Sequence, residues 1–209
     1  MQELEIEKRF LVPTEKIDTL KKFVIPDSMT KMKDIYIPNG SAHKDLRLRQ
    51  KGDKFMITRK RPVKNGDTTT MLETTIELSR DEFTAMSQGI ETSIEKERYL
   101  VDVSEWRGEL DIFQGRHAGL VVVEFEFQND ADLADFEANA KLDLLDITNI
   151  EWLAGGRLAE IDSQNLKEKN PTTYIDIIFK LNSFYGVKKR SSVHDLFEFG
   201  PKWLLANIR

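Results

Sequence analysis

The sequence contains no cysteine and only three histidines. Without cysteine the chain can form neither a disulfide framework nor a thiolate metal site, so a bound metal would need oxygen or histidine ligands. His43, His117 and His194 lie far apart in the sequence, and we expect none of them to bind a metal. A chain without cysteine suits a reducing compartment, and we predict a cytoplasmic protein.

Long apolar runs and an excess of positive charge are also missing. No run approaches the roughly 20 apolar residues that a membrane-spanning helix needs. The first residues are acidic and lack the basic and apolar regions of a signal peptide. The formal net charge is -5, whereas nucleic-acid-binding proteins usually carry excess positive charge. We therefore expect neither a membrane nor a nucleic acid as a partner.

The composition is that of a folded, charge-rich protein, with 40% hydrophobic and 32% charged residues in a chain of 209. Charged residues alternate with Leu, Ile, Val or Phe, which is the period-two pattern of half-buried strands. We predict eight strands, at residues 3–11, 33–38, 45–51, 54–61, 71–78, 93–102, 107–113 and 119–127. Helices are predicted at residues 13–23, 79–86 and 132–140, the second because Ser79 and Glu82 have the spacing of a capping box.

The charges on these strands are segregated by strand. Because side chains two residues apart on a strand share a face, one face carries Glu5, Glu7 and Arg9. The corresponding faces of the later strands carry Arg47, Arg49 and Lys51; Lys60; Glu73 and Glu77; Lys96 and Arg98; Glu109 and Asp111; and Glu124 and Glu126. A solvated sheet face explains such alternation on any single strand. Separate acidic and basic strands with apolar opposite faces instead favour a closed, charged lumen.

Such a lumen would suit a polyanion together with divalent cations. Carboxylate and water oxygens are the ligands that Mg²⁺ and Mn²⁺ prefer. Arginine and lysine bind phosphate oxygens, arginine through a two-pronged fork. In a cavity that excludes water, these groups could together neutralise the charge of a triphosphate.

The segment Glu5-Ile6-Glu7-Lys8-Arg9-Phe10 resembles the N-terminal signature of the CYTH superfamily, also called the triphosphate tunnel metalloenzymes. The resemblance continues in order through Tyr36 and residues 46–50, 55–60, 95–99, 109–113 and 123–127. It implies an α+β fold for residues 1–166, an eight-stranded antiparallel β-tunnel (a closed barrel) with helices packed outside. Beyond it, residues 167–209 are expected to form a helical C-terminal extension.

The resemblance also implies roles for individual residues. Two divalent cations, Mg²⁺ or Mn²⁺, would be bound by acidic residues, which we assign as Glu5, Glu7, Glu109, Asp111, Glu124 and Glu126. The triphosphate would be bound by Arg47, Arg49, Lys51, Lys60 and Arg98. Lys96 matches a lysine that orients or activates the attacking water, and we also expect catalytic roles for Arg9 and Tyr36.

Arg9 departs from the family signature, which usually has lysine at this position. Arginine keeps the positive charge and can bind phosphate, but it cannot accept a proton. A phosphate-binding role for this side chain is therefore compatible with the sequence, whereas a proton-transfer role is not.

Within the family, the segments Leu46 to Gln50 and Glu109 to Phe113 are similar to those of short bacterial tripolyphosphatases. This favours hydrolysis of inorganic tripolyphosphate to pyrophosphate and phosphate. The alternatives are a class IV adenylyl cyclase, which makes cyclic AMP from ATP, and a thiamine triphosphatase. A fourth reading, from a different class of protein, is a polyphosphate-binding protein without catalysis.

The C-terminal residues contain an apolar helical stripe, formed by Tyr174, Ile177, Ile178, Leu181 and Phe184. Such a stripe has to be buried. We favour packing against the outer wall of the tunnel, with a homodimer contact or a lid over one tunnel end as alternatives.

Overall fold

The computed structural model describes residues 2–38, 45–118, 120–140, 142–150 and 153–160. Within these residues there are nine strands: β1 Gln2–Leu11, β2 Thr30–Tyr36, β3 Leu46–Lys51, β4 Lys54–Lys64, β5 Asp67–Leu78, β6 Ser93–Val103, β7 Trp106–Phe113, β8 Val121–Phe127 and β9 Leu145–Asp146. The helices are α1 Thr14–Lys21, α2 Arg80–Ser87, α3 Asp130–Asn139 and α4 Gly155–Leu158. The predicted C-terminal extension lies outside the described residues.

Strands β1 to β8 form a closed antiparallel barrel in the order β1-β5-β4-β3-β2-β6-β7-β8. Closure depends on β1, which pairs with β5 through residues 2–6 and with β8 through residues 6–11. Beyond the contact with β5, the end of β1 pairs with the short strand β9. Because the sheet closes, its two faces become a lumen and an outer wall. The predicted eight-stranded tunnel is confirmed.

Helices α1, α2 and α3 cover the outer wall, as predicted. Phe136 of α3 lies among the outward rings of β1 and β8, 4.9 Å from Phe125 and 6.0 Å from Phe10 between ring centroids. Phe83 of α2 packs on Phe55 at 5.1 Å in a second cluster with the fully buried Leu48. This packing buries apolar side chains of both helices and strands outside the lumen.

Side-chain caps set the starts of α2 and α3. The backbone N–H of Glu82 donates to Ser79 Oγ at 3.2 Å, and that of Ser79 donates to a Glu82 carboxylate oxygen at 2.7 Å, which confirms the capping box. Helix α3 begins two residues before the predicted start because Asn129 Oδ1 accepts N–H groups of Ala131 and Asp132, both at 2.9 Å.

Several strand boundaries differ from the sequence prediction. The hairpin between β4 and β5 turns at residues 65–66, with Lys64 opposite Asp67, so both strands are longer than predicted. The Thr-rich start of β5 has no apolar alternation and was therefore not recognised. Strand β2 begins at Thr30 and ends before the cis Ile37–Pro38 bond, three residues earlier than predicted at its start.

One end of the lumen is filled by a segment that the sequence analysis did not predict as part of the wall. We call residues 145–150 and 153–160 the plug segment. Its Ile147, Leu153 and Leu158 pack against four inward side chains of the barrel, forming one buried apolar cluster with Tyr36, Ile94, Phe113 and Val122. The opposite end is lined by the exposed residues Glu3, Lys51 and Glu77.

Among the helices of the described residues, none combines the length and the apolar character that crossing a bilayer requires.

Replacing Phe136 by alanine is expected to lower the free energy of unfolding by about 3–5 kcal/mol, because its ring is buried among four aromatic neighbours. Phe23→Ala is the matched control, since that ring is 44% exposed. Urea denaturation of both variants measures the difference. Equal losses in the two would contradict the assigned packing.

Candidate functional site

The lumen has a volume of about 1400 Å³, and about half of its lining residues are charged, most of them on the strands. Among the described residues, its ten carboxylates are Glu3, Glu5, Glu7, Asp34, Asp45, Glu73, Glu77, Glu109, Glu124 and Glu126, and its eight cations are Arg9, Arg47, Arg49, Lys51, Lys60, Lys96, Arg98 and Arg157. Every residue predicted for the site lines this cavity except Asp111, which is buried behind it and bonded to Lys96 and Arg98. The barrel therefore brings the whole predicted set together.

Three carboxylates converge on one point of the lumen. Glu5 and Glu7 extend from β1, and Glu126 extends from β8 opposite Glu7. One oxygen of each lies within 4.8 Å of the others, which is close enough for a shared cation. Burial, together with the negative charges of Glu109 and Glu5, raises the pKa of Glu126 to about 7. Such crowding of carboxylates is favourable when a cation lies between them.

A cation of the chain itself already reaches this cluster. Lys60 Nζ lies 2.6 Å from a Glu5 oxygen and 2.5 Å from a Glu7 oxygen. Burial alone would lower the pKa of Lys60, but the carboxylates of Glu7 and Glu5 outweigh it and raise the pKa. Lys60 therefore lies where the carboxylate cluster meets the cations of the lumen.

Arg98 is the centre of a second network. Its guanidinium binds both oxygens of Asp111 at 2.6 Å and one oxygen of Glu124 at 2.8 Å, and it also contacts Glu109. Burial alone would raise the pKa of Glu124, but Lys96 and Arg98 outweigh it and hold the pKa well below its usual range. The guanidinium is thus fixed in place by three carboxylates.

Lys96 lies beside this network and is ion-paired with Asp111. Burial, and next the positive charge of Arg98, lower the pKa of Lys96 despite the nearby carboxylates. Of the lumen cations, it is one whose environment favours release of a proton.

Asp34 was not predicted, although period two along β2 would place it on the same face as Tyr36. Its carboxylate accepts two hydrogen bonds from Arg49, at 2.6 and 2.8 Å. Burial alone would raise the pKa of Asp34, but Arg49 and Arg47 hold it well below its usual range. Burial, and next the Asp34 charge, raise the pKa of Tyr36 to about 12, so its hydroxyl remains protonated at neutral pH.

Two arginines of the lumen each have a buried N–H group without a hydrogen-bond partner in the part of the chain that the structure describes. The buried Nε atoms of Arg9 and Arg47 have no hydrogen-bond partner among the residues that the structure describes. Arg47 is fixed through Nη2, which donates to Glu73 at 3.1 Å, and Arg9 through backbone carbonyls of the plug segment. A buried unpaired N–H group of a cation is costly unless a ligand accepts it. Both groups suit an anion in the lumen.

The charges of the lining do not balance, because the carboxylates outnumber the cations by two. Taken alone, the described lining therefore offers a polyanion no net positive charge, despite its arginines and lysines. Bound cations would change this balance. The donor set fits hard divalent cations, which prefer carboxylate oxygens.

Asp34→Asn is expected to cost about 3–5 kcal/mol of stability at neutral pH, because it leaves the Arg49 charge without its buried partner. The surface pair Asp102 and Arg107 has similar two-pronged geometry but is exposed, so Asp102→Asn serves as the control and should change stability little.

The same substitution predicts a pH dependence. Since folding lowers the Asp34 pKa below its ordinary value of 3.8, the carboxylate stabilises the fold above that pH and less as the pH falls below it. The difference in stability between wild type and Asp34→Asn should therefore shrink from pH 5 towards about pH 2. A difference that stays constant over this range would contradict the assignment.

Comparison with known proteins gives both a family and a fold. The inorganic triphosphatase NE1496 is 23% identical, with a TM-score of 0.50 over 74% of this chain and 93% of that one. A protein from Bacillus halodurans, to which adenylate cyclase activity is provisionally assigned, is 20% identical, with a TM-score of 0.53 over 67% of this chain and 89% of that one. At these identities the two structures establish a shared fold. A search of curated protein sequences finds no match.

The sequence itself matches the model of the CYTH domain over residues 3–195, which is most of the chain. The closed barrel and the charged lumen agree with that match and with the resemblance seen in the strand segments. The chain therefore belongs to the CYTH domain family.

Proposed function

We propose that this protein is a divalent-metal-dependent hydrolase of triphosphates, whose substrate is inorganic tripolyphosphate. One observation carries the proposal: a closed lumen in which the carboxylate cluster of Glu5, Glu7 and Glu126 adjoins a wall of fixed cations, with Lys60 at the boundary. This arrangement suits a ligand that is itself strongly anionic and binds metals.

The acidic side would hold two cations, Mg²⁺ or Mn²⁺. Glu5, Glu7 and Glu126 form one converging ligand set, while Glu124, Glu109 and Asp111 lie together around Arg98. When bound, such ions neutralise phosphate oxygens and lower the pKa of a water. Every carboxylate named here comes from β1, β7 or β8, which are neighbours in the barrel.

The basic side would bind the phosphates. Arg47, Arg49 and Arg98 are each held by a carboxylate, namely those of Glu73, Asp34 and the buried Asp111. A donor fixed in this way loses little side-chain entropy when it binds an anion. Lys60 and Lys51 would add charge along the same wall, and the free Nε of Arg47 supplies an unused donor.

Lys96 is the residue we assign to the attacking water. Its lowered pKa and its place between Asp111 and the lumen allow its Nζ to hold or accept a proton near the terminal phosphate. Water would add to the terminal phosphorus as the bond to the bridging oxygen breaks, which releases phosphate and pyrophosphate. The protonated Tyr36 hydroxyl can donate a hydrogen bond at the plug end of the lumen.

The lining favours an inorganic substrate over a nucleotide or thiamine triphosphate. Among the described residues, the only aromatic side chains that line the lumen are Tyr36 and Phe113, and both are buried in the cluster with the plug segment. Neither offers a free ring on which an adenine or thiazolium ring could stack. Adenylyl cyclase and thiamine triphosphatase activities therefore rank second, and binding without catalysis is an outcome of the test. The cytoplasmic location and the homodimer stay predictions.

The test is phosphate release from tripolyphosphate, ATP and thiamine triphosphate with Mg²⁺ or Mn²⁺, together with an assay for cyclic AMP. We expect tripolyphosphate to be hydrolysed fastest and Lys96→Ala to lower kcat by about 100-fold or more, the usual contribution of an acid–base group. Glu97→Gln is the matched control, because Glu97 neighbours Lys96 but lies on the outer face, bonded to Tyr99. Cyclic AMP as the main product, or full activity of Lys96→Ala, would contradict the proposal.

Metal dependence has its own test. Glu126→Gln removes one charge from the converging cluster and should raise the Mg²⁺ concentration for half-maximal activity by at least about tenfold. Glu137→Gln, on the outer wall beside Lys8, should leave it unchanged. Activity that persists in excess EDTA would rule out the metal-dependent mechanism.

A further inference from the structure

Arg9 connects the lumen with the plug segment, and this connection suggests a role that differs from phosphate binding. We propose that Arg9 is a positioning residue: it latches the plug segment against the end of the lumen and so keeps that end dry. The kinetic part of the inference rests on the proposed triphosphatase function, whereas the structural part does not.

The guanidinium of Arg9 is directed at backbone carbonyls of the plug segment. Its Nη2 donates to Thr148 O at 2.9 Å, and its Nη1 makes a longer contact of 3.5 Å with Leu153 O. The side chain is only 10% exposed, so these contacts are shielded from water. Its nearest carboxylate is that of Glu7, at 3.9 Å, which is beyond hydrogen-bonding distance.

The backbone of Arg9 is bound to the same segment. Its N–H donates to Thr148 Oγ1 at 3.1 Å, and its carbonyl accepts the N–H of Ile147 at 2.8 Å. Thr68, from the start of β5, adds a hydroxyl bond to Thr148 O at 2.5 Å. Thr148 is 1% exposed, and its carbonyl thus accepts from both Arg9 and Thr68.

The other part of the plug segment fits the barrel closely at Gly155. A Cβ atom at this position would overlap the hydroxyl of Tyr36 and lie 3.3 Å from the ring carbon that bears it. Helix α4 begins at this glycine, and Leu158 that follows is buried beside His117, whose Nε2 lies 2.9 Å from Leu158 O. The plug segment is therefore seated against Tyr36 on one side and latched by Arg9 on the other.

The chemistry of arginine explains why it suits this position. Its two terminal nitrogens are separated and can reach two different carbonyls, whereas the ammonium of lysine is a single point of charge. A lysine at position 9 would lose at least one of the two contacts. This chain has arginine where the family signature usually has lysine, and that arginine contacts the carbonyls of both Thr148 and Leu153.

Excluding water from the plug end would strengthen the binding of a triphosphate in the neighbouring charged part of the lumen. The apolar cluster of the plug segment lies directly beyond Tyr36, Ile94 and Phe113, next to the cations of the site. Because charges interact more strongly where water is excluded, loosening the plug should weaken binding of a triphosphate. It should affect the chemical step much less, since the ammonium of Lys96 is held by Asp111, a residue of β7 outside the plug segment.

The first test is hydrogen–deuterium exchange of the amides of residues 147, 158 and 159 in the full chain. Arg9→Lys should speed their exchange by about tenfold or more, the factor that corresponds to one lost charge-assisted hydrogen bond. Gly155→Ala should do the same, and adding Tyr36→Phe to it should restore slow exchange, because the overlapping hydroxyl is gone. Arg47→Lys is the control, a lumen arginine with the same unpaired Nε but bonded to Glu73 instead of the plug segment.

If these amides exchange at the same rate in Arg9→Lys as in the wild type, the proposed role of Arg9 is wrong. If Arg9→Lys does not fold, Arg9→Gln, which keeps one amide donor, replaces it under the same criterion.

The second test separates this role from phosphate binding. Arg9→Lys and Gly155→Ala should both raise KM for tripolyphosphate by about tenfold and change kcat by less than about threefold. Glycine has no side chain with which to bind phosphate, and what positions 9 and 155 have in common is their contact with or place in the plug segment. An unchanged KM in Gly155→Ala, in spite of faster exchange, would overturn the proposal.

If no substrate is turned over, the proposed function fails but the latch is still tested. Calorimetric binding of tripolyphosphate with Mg²⁺ then replaces KM, with the same tenfold weakening expected in both variants. The exchange measurement is independent of either readout.

Discussion

The double pairing of β1 is the constraint on which the site depends. This strand joins β5 along its first half and β8 along its second half, and so closes the sheet. Closure turns a pattern of alternating charge into an enclosed lumen, where Glu5 and Glu7 meet Lys60, a residue more than fifty positions later. An open sheet with the same sequence would leave these charges in water, where each pair contributes little.

Within the lumen, carboxylates hold Arg47, Arg49, Lys60, Lys96 and Arg98. Arg49 with Asp34, and Arg98 with Asp111, are pairs in which both partners are largely buried. The cost of burying them is offset by short, two-pronged hydrogen bonds. The carboxylates that remain in excess suit divalent cations, and this fit supports the proposed activity.

The ends of the tunnel differ in character. Exposed charged residues such as Glu3 and Glu77 line one end, whereas apolar side chains fill the other. The change occurs along single strands: on β6 the inward residue after Lys96 towards the plug end is Ile94, and on β8 the one after Glu124 is Val122. A triphosphate would therefore meet charge first and an apolar wall last. Arg9 lies where the charged part of the lumen meets the apolar end, and it therefore contacts the plug segment.

The inward faces of the strands can be predicted from the amino-acid sequence, because the alternation that encodes Glu7, Arg49 or Lys96 is local. The capping box of α2 and the family can be predicted in the same way. The pairing of the charges, the place of Asp34 in the site and the contact of Arg9 with Thr148 depend instead on the folded barrel. The contacts of Arg49 with Asp34 and of Arg9 with Thr148 join residues 15 and 139 positions apart, so no local periodicity records them. They depend on barrel closure and on how the segment after β8 folds back across the lumen.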